Sequence, residues 1–413
     1  MKKIFYFLSL SLILCLSSTG CSSETSKEEA SHSAKQDSET TQASQSPVSS
    51  GFAKTSAPES SNISPLPTQD STITEESHTA QAQNNAILAE ETPAATTKPQ
   101  ITKITISAAG DCTFGSDQSS PSSVNFYSVY NKQKNDAYFF QKVKKIFEKD
   151  DLTLVNLEGT LTKRGARMDK TYAFRGDPSY VNILKKGSVE AVSFANNHCK
   201  DYGEISYTDT INTLKKAKIK YASYEKVSIF KAKKKKIGMV AVNGLSGIDY
   251  SKNLIASGIK KLRKKKADLI IVSMHAGIEH TSTLNDTQTQ IAHYAVKKGA
   301  NLVLGHHPHT LQGIEKYKGA YIVYSLANFC FGGNTNPSDK DTMIFQQTFT
   351  FKGNTLQKDN DVQIIPCRVS STTAINNYQP VPLKGKSSKQ IIEKMNSFSK
   401  PFGIHFKVNG KVQ

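Results

Sequence analysis

The sequence predicts an α/β fold, and three observations carry that prediction. From residue 101 onward, short apolar, β-branched runs alternate with stretches of helical periodicity. Polar residues able to ligate a metal follow five of those runs directly, and open α/β sheets build their sites at that edge. Residues 22–100 show neither pattern. They are dominated by Ser, Thr, Ala, Gln, Glu and Pro, with too few large apolar side chains to offset the entropy of ordering, and are expected to form a disordered linker.

Taken in order, residues 101–109 read as a strand ending at Gly110-Asp111, and 152–157 as a second ending at Glu158-Gly159. Residues 189–194 form a third, ending at Ala195-Asn196-Asn197-His198. Ile205, Ile211 and Leu214 lie at helical spacing with Lys on the other face. Strands are expected over 237–242 and over 269–274, the latter ending at His275. A helix over 290–298 leads into the strand 302–304 and a histidine cluster. Residues 321–326 read as a strand reaching toward Asn328, 343–369 as strand-rich, and Ser387 or Ser388 as the cap of a closing helix. No repeat of fixed period is present.

The 413 residues carry a formal charge of +18. That charge is uneven: residues 22–100 hold eleven Asp/Glu against four Lys, a net of −7, and Lys2 and Lys3 add +2, so 101–413 carry +23. A basic folded part suits anionic partners. At the N-terminus, Lys2-Lys3, an apolar stretch over 4–16 and small residues before Cys21 have the layout of a lipoprotein signal, although Ser18 stands where Leu is preferred. The expectation is export, cleavage before Cys21 and lipidation of that cysteine, with 22–100 as a spacer. Cys112, Cys199, Cys330 and Cys367 match no zinc-knuckle or CxxC spacing; three lie within two residues of a motif residue, which suggests a disulfide near the site.

The strand ends supply Asp111, Glu158, Asn197, His275, His307 and His309. These are carboxylate, amide and imidazole donors suited to divalent ions. In His307-Pro308-His309, alternate residues of an extended chain point opposite ways and can serve two neighbouring ions. His198, beside Asn197, is the candidate general acid. Gly-Asp after a strand is by itself a common turn. Asn196-Asn197-His198 alone could be a helix-capping turn. The specificity lies in the ensemble.

That ensemble resembles the CapA, or poly-γ-glutamate capsule synthesis, family, which is similar to calcineurin-like metallophosphatases. The resemblance covers residues 104–335. It rests on Ala109-Gly110-Asp111, Asn156-Leu157-Glu158-Gly159, Ala195-Asn196-Asn197-His198 with Asp201 and Gly203, and His275-Ala276-Gly277-Ile278-Glu279. Gly305-His306-His307-Pro308-His309 with Gln312, and Tyr324-Ser325-Leu326-Ala327-Asn328-Phe329, complete it. It implies that 101–413 form a four-layer αββα sandwich like that of metallo-dependent phosphatases. It also implies up to two divalent ions drawn from Mn, Fe, Zn or Mg. On that analogy Asp111 and His309 hold one ion, Asn197, His275 and His307 the other, Glu158 takes the place of a bridging Asp, and His198 that of the acid.

Three departures bear on the site. Asp111-Cys112-Thr113 lacks the histidine of the usual Asp-x-His, a gap for Cys112 or water to fill. Ala276 and His280 stand where Trp and Tyr are frequent, which is expected to alter the substrate pocket. Ala327 stands where Gly is usual.

The resulting expectation is a surface-anchored, metal-dependent hydrolase or transferase, cleaving a phosphoester or γ-glutamyl amide, in synthesis or export of poly-γ-glutamate or a related anionic polymer. The alternative is a non-catalytic assembly factor that binds such a polymer. The expected partners are the polymer, the membrane through the lipid anchor, and capsule synthesis or export membrane proteins. Nucleic acid is excluded, because the basic runs 231–236 and 260–266 lack interleaved stacking aromatics and read as solvated loop or helix ends.

Overall fold

The computed structural model describes residues 99–358 and 361–413. The expected signal, Cys21 and nearly all of the linker lie outside the described residues. The strands, in chain order, begin with β1 (Ile101–Thr113), β2 (Leu152–Leu157), β3 (Ala191–Ser193) and β4 (Lys220–Ala222). A second group comprises β5 (Ser228–Ala232), β6 (Lys235–Asn243), β7 (Leu269–His275), β8 (Leu302–His306), β9 (Ile314–Tyr317) and β10 (Ala320–Val323). The chain then returns to the first group with β11 (Asn328–Phe331), β12 (Asp341–Lys352), β13 (Val362–Arg368) and β14 (Val381–Pro382). The main helices are α1 (Gly203–Lys216), α2 (Ile248–Lys264), α3 (Asp286–Lys298) and α4 (Gly385–Ser399).

The fold is α/β, as expected. The first sheet runs β14-β13-β12-β1-β2-β3-β4, with β11 also on β1; the second runs β9-β10-β8-β7-β6-β5. Strands β1 to β4 pair in parallel, as do β6, β7, β8 and β10. Their C-terminal ends therefore gather at one edge of each sheet.

The two-residue alternation of strand side chains divides the interior. Ile104, Ile106, Leu152 and Leu154 of the first sheet share one buried cluster with Met239, Ile271, Leu302 and Leu304 of the second. On the other face of the first sheet, Val155 and Val192 pack with Leu214 of α1 and with Phe126, Phe140 and Phe147. On the other face of the second, Val240 and Val272 pack with Ile255 and Ile259 of α2 and Ile291 of α3. Each fully buried Leu or Ile contributes about 1.5–3 kcal/mol.

Several elements differ from expectation. The third strand is only three residues long, and the expected strand over 321–326 breaks after Val323. Residues 324–327 carry the chain from β10 to β11, and so from one sheet to the other. They pass so close that a Cβ on Gly305 would lie 2.0 Å from the Tyr324 carbonyl oxygen, and one on Gly110 would lie 1.9 Å from that of Ala327. Helix α4 begins at Gly385 with Lys384 at its N-cap position and no capping side chain, so neither Ser387 nor Ser388 is the cap. The basic run 231–236 forms the β5–β6 hairpin and 260–266 ends α2. Among the described residues no helix is long and apolar enough to cross a membrane.

Candidate metal centre

Register brings the strand ends together. Asp111 pairs with both Asn156 and Asn328 across β2 and β11, and His275 pairs with His306 across β7 and β8. Donors far apart in sequence thus become neighbours by backbone hydrogen bonding alone.

Asp111 and Glu158 are fully buried. Asp111 Oδ1 accepts from Asn156 Nδ2 at 2.9 Å, and Oδ2 from the His307 backbone N–H at 3.2 Å. Burial alone would raise its pKa, but hydrogen bonds and charge from His306 and His309 hold the carboxyl well below the usual range. Glu158 is pushed the other way, by burial and then by the charge of Asp111. Its Oε1 has no hydrogen-bond partner. Around that oxygen stand the Nε2 atoms of His198 at 3.8 Å, His275 at 3.8 Å and His309 at 3.7 Å.

These separations are too long for hydrogen bonds. Those to His275 and His309 match the spacing of two donors that share an ion, since ligand bonds of about 2.0–2.2 Å leave ligand atoms about 3–4 Å apart. A buried, unpartnered carboxylate oxygen is costly in isolation, so its surroundings fit a divalent cation. Two triads, Asp111–Glu158–His275 and Glu279–His307–His309, have ligand atoms within 4.8 Å of one another.

The remaining expected residues converge here too. Asn197 Oδ1 lies 2.8 Å from His275 Nε2. His275 and His307 face each other with ring centroids 4.8 Å apart, and burial lowers the proton affinity of both. His309 Nδ1 lies 2.9 Å from Asn328 Oδ1 and 3.4 Å from Asp111 Oδ2. Burial opposes protonation of His309, but the charges of Glu158 and Asp111 raise it to about 9. His307 and His309 both have left-handed backbone, φ 97° and 56°. Such strain in non-glycine residues concentrates at functional sites.

His198 stands beside the donors. Its Nδ1 is 2.7 Å from Asp201 Oδ2, and its ring lies 4.4 Å from that of Phe174. Lys170 Nζ donates to Asp201 Oδ1 at 2.8 Å and to the Asn197 carbonyl at 3.0 Å, which ties the His198–Asp201 pair to the loop that carries Asn197.

Four participants escape the sequence reading. Asn156, near the end of β2 and two residues before Glu158, touches Asp111, Glu158 and His275. Asn328, at the start of β11, places its Oδ1 against His309 Nδ1. Glu279, four residues after His275, has its carboxylate 4.0 Å from His307 Nδ1. His306 is buried, and its Nδ1 lies 3.1 Å from Asp111 Oδ1.

His306 thus stands beside Asp111 where the missing Asp-x-His histidine leaves a gap. Cys112 does not fill it: the next residue along a strand points away, and its thiol sits in the outer apolar cluster. The suggested disulfide is also corrected. All four cysteines of the folded part are free, buried thiols, with their pKa values pushed up by burial.

A cavity of about 340 Å³ opens beside the centre, lined by His198, His309, Glu279, His280, Tyr172 and Phe331 among others. His280 therefore does shape this pocket. Ala276 does not: it is fully buried, where a Cβ on Gly244 would meet its own at 2.6 Å.

A family model described as "Bacterial capsule synthesis protein PGA_cap" matches residues 105–333. The PGA biosynthesis protein CapA of Bacillus subtilis strain 168 is 28% identical over 280 residues, 63% of this chain and 70% of its own length. The capsule biosynthesis protein CapA of Bacillus anthracis is 26% identical over 255 residues, 55% of this chain and 60% of its own. A probable polyglutamine synthesis accessory protein of Mycobacterium tuberculosis is 26% identical over 257 residues, 53% of this chain and 66% of its own. Part of each relative's length therefore has no counterpart in the match.

Proposed function

This chain belongs to the bacterial capsule synthesis protein family PGA_cap, and from that premise we propose that it is a metal-dependent hydrolase or transferase. Its substrate would be a phosphoester or γ-glutamyl amide, in the synthesis or export of a poly-γ-glutamate capsule or related anionic polymer. The names of the Bacillus relatives support the polymer class. The observation that carries the chemistry is the unpartnered Glu158 Oε1 with three imidazoles 3.7–3.8 Å away.

We read the two sheets and their outer helices as the four-layer αββα sandwich of metallophosphatases. Asp111 and His309 would hold one divalent ion, Asn197, His275 and His307 a second, and Glu158 would stand between them. Glu279 and His306 would complete the set on the sides of His307 and Asp111. The ions would be drawn from Mn, Fe, Zn or Mg. When bound, such an ion supplies Lewis acidity toward a carbonyl or phosphoryl oxygen.

The protein's own part centres on His198. A carboxylate only accepts, so Asp201 fixes the proton on His198 Nδ1 and leaves Nε2 to exchange a proton with the leaving group. Phe174 and the Lys170–Asp201 pair hold the ring in place. The proposal includes export and tethering through lipidated Cys21, with residues 22–100 as the spacer.

The test is turnover of the metal-loaded full chain on γ-glutamyl polymers and phosphoesters. Asn197→Ala and His275→Ala should abolish it while cooperative unfolding persists. His198→Asn should keep its metal and lose about 10²–10⁴-fold in rate. A chelator-insensitive rate, or unchanged activity in Asn197→Ala and His275→Ala, overturns the assignment. Full metal loading with no turnover on either substrate class would instead favour a non-catalytic assembly factor.

A further inference from the structure

The two sheets end beside one another at β4 and β5, where a groove of about 720 Å³ follows their edges. It is lined by Lys215 and Lys218 at the end of α1, Lys220 on β4, Lys226 before β5, and Lys261 and Lys265 at the end of α2. Among the described residues, none of these six ammonium groups has a carboxylate within ion-pair distance. Glu225 is the carboxylate in the lining; it accepts from the Tyr250 hydroxyl, while Lys261 bonds its backbone carbonyl. Between the lysines the lining is apolar, with Ile219, Val227 and Ile229.

Two ordinary causes place lysines here. Helix C-termini favour cations, and a charged edge strand resists pairing with another sheet. Neither cause accounts for apolar residues lying between the lysines in one groove.

We propose that this groove binds a linear polycarboxylate with an aliphatic backbone, a polyglutamate-type chain. Unneutralised lysines attract the repeating carboxylates, and the apolar residues between them meet the methylenes. A polyphosphate would match the charge and leave the apolar lining unused. The groove is separate from the cavity beside the metal centre and shares no lining residue with it. This inference rests on the anionic-polymer reading above and is independent of turnover.

The test measures binding of fluorescent poly-γ-glutamate, and of polyphosphate of equal charge, to the full chain with chelator present. Lys218→Glu/Lys261→Glu/Lys265→Glu is compared with Lys142→Glu/Lys145→Glu/Lys149→Glu, which makes the same charge change at exposed positions outside the groove. The groove triple should weaken polyglutamate binding about tenfold or more, the control triple less than about threefold, and wild-type binding should fall with salt. Equal losses in both triples, polyphosphate bound as tightly as polyglutamate, or no polyglutamate binding by wild type overturns the proposal. Because chelator is present throughout, these results are separate from the fate of the hydrolase reading.

Discussion

Among single residues, Ala327 shows how closely the backbone is drawn in around the centre. Its φ is 59°, and its carbonyl oxygen occupies the space that a Cβ on Gly110 would need. Glycine there would relieve the left-handed strain, so Ala327→Gly should stabilise the protein by about 0.5–1 kcal/mol. Chemical denaturation checks this; a lower midpoint in the variant would show that the turn is not strained. The six donors and His198 were legible at this scale because each follows an apolar run. Asn156, His306, Glu279 and Asn328 were not given roles. Their places depend on which strand lies beside which, and spacing along the chain does not encode that. Cys112 was misread as a possible ligand for the opposite reason: proximity in sequence to Asp111 puts it on the other face of β1.

At the level of elements, the parallel strands were readable because both their faces are buried and their apolar runs are nearly continuous. Helix α2 was harder to see, since the lysine run at its end masked Leu254, Ile255, Ile259 and Leu262 on its buried side. The break after Val323 was also hidden, because residues 324–327 are apolar enough to continue a strand yet cross between the sheets. At the end of β2 and β3 away from the site, Glu190 accepts from the Thr153 backbone N–H. Burial raises Glu190 to about 7 and Asp150 to about 6, helped by the charge of Asp150 in the first case and of Asp151 in the second. Both groups hold their protons more tightly when folded. Their contribution is therefore fully present below the unfolded carboxyl range and lost as pH rises through about 6 to 7. Glu190→Gln keeps the acceptor without the charge. Its stability relative to wild type should grow between pH 5 and pH 8 by on the order of 1 kcal/mol, after allowing for solvent screening. A difference that stays constant with pH would contradict this account.

For the molecule as a whole, the folded part carries two separate features: the C-terminal ends of the parallel strands gather the buried donors, and the lysine groove follows the edge where β4 and β5 meet. The sequence conveyed the α/β class and the basic charge of residues 101–413. It did not convey that the six groove lysines, from α1, β4 and α2 and the turns beside them, face one another, because that juxtaposition arises only when the two sheets stack. Glu158 would sit at the heart of a divalent metal centre built from the strand-end donors. Its most direct test is the metal content of the purified full chain after equilibration with Mn, Fe, Zn or Mg, measured beside Glu158→Gln. Wild type should retain at least one equivalent of one of these ions and be thermally stabilised by it, and Glu158→Gln should still unfold cooperatively but bind about tenfold or more weakly. Wild type that retains none of the four ions, or Glu158→Gln that binds as tightly as wild type, would contradict that assignment.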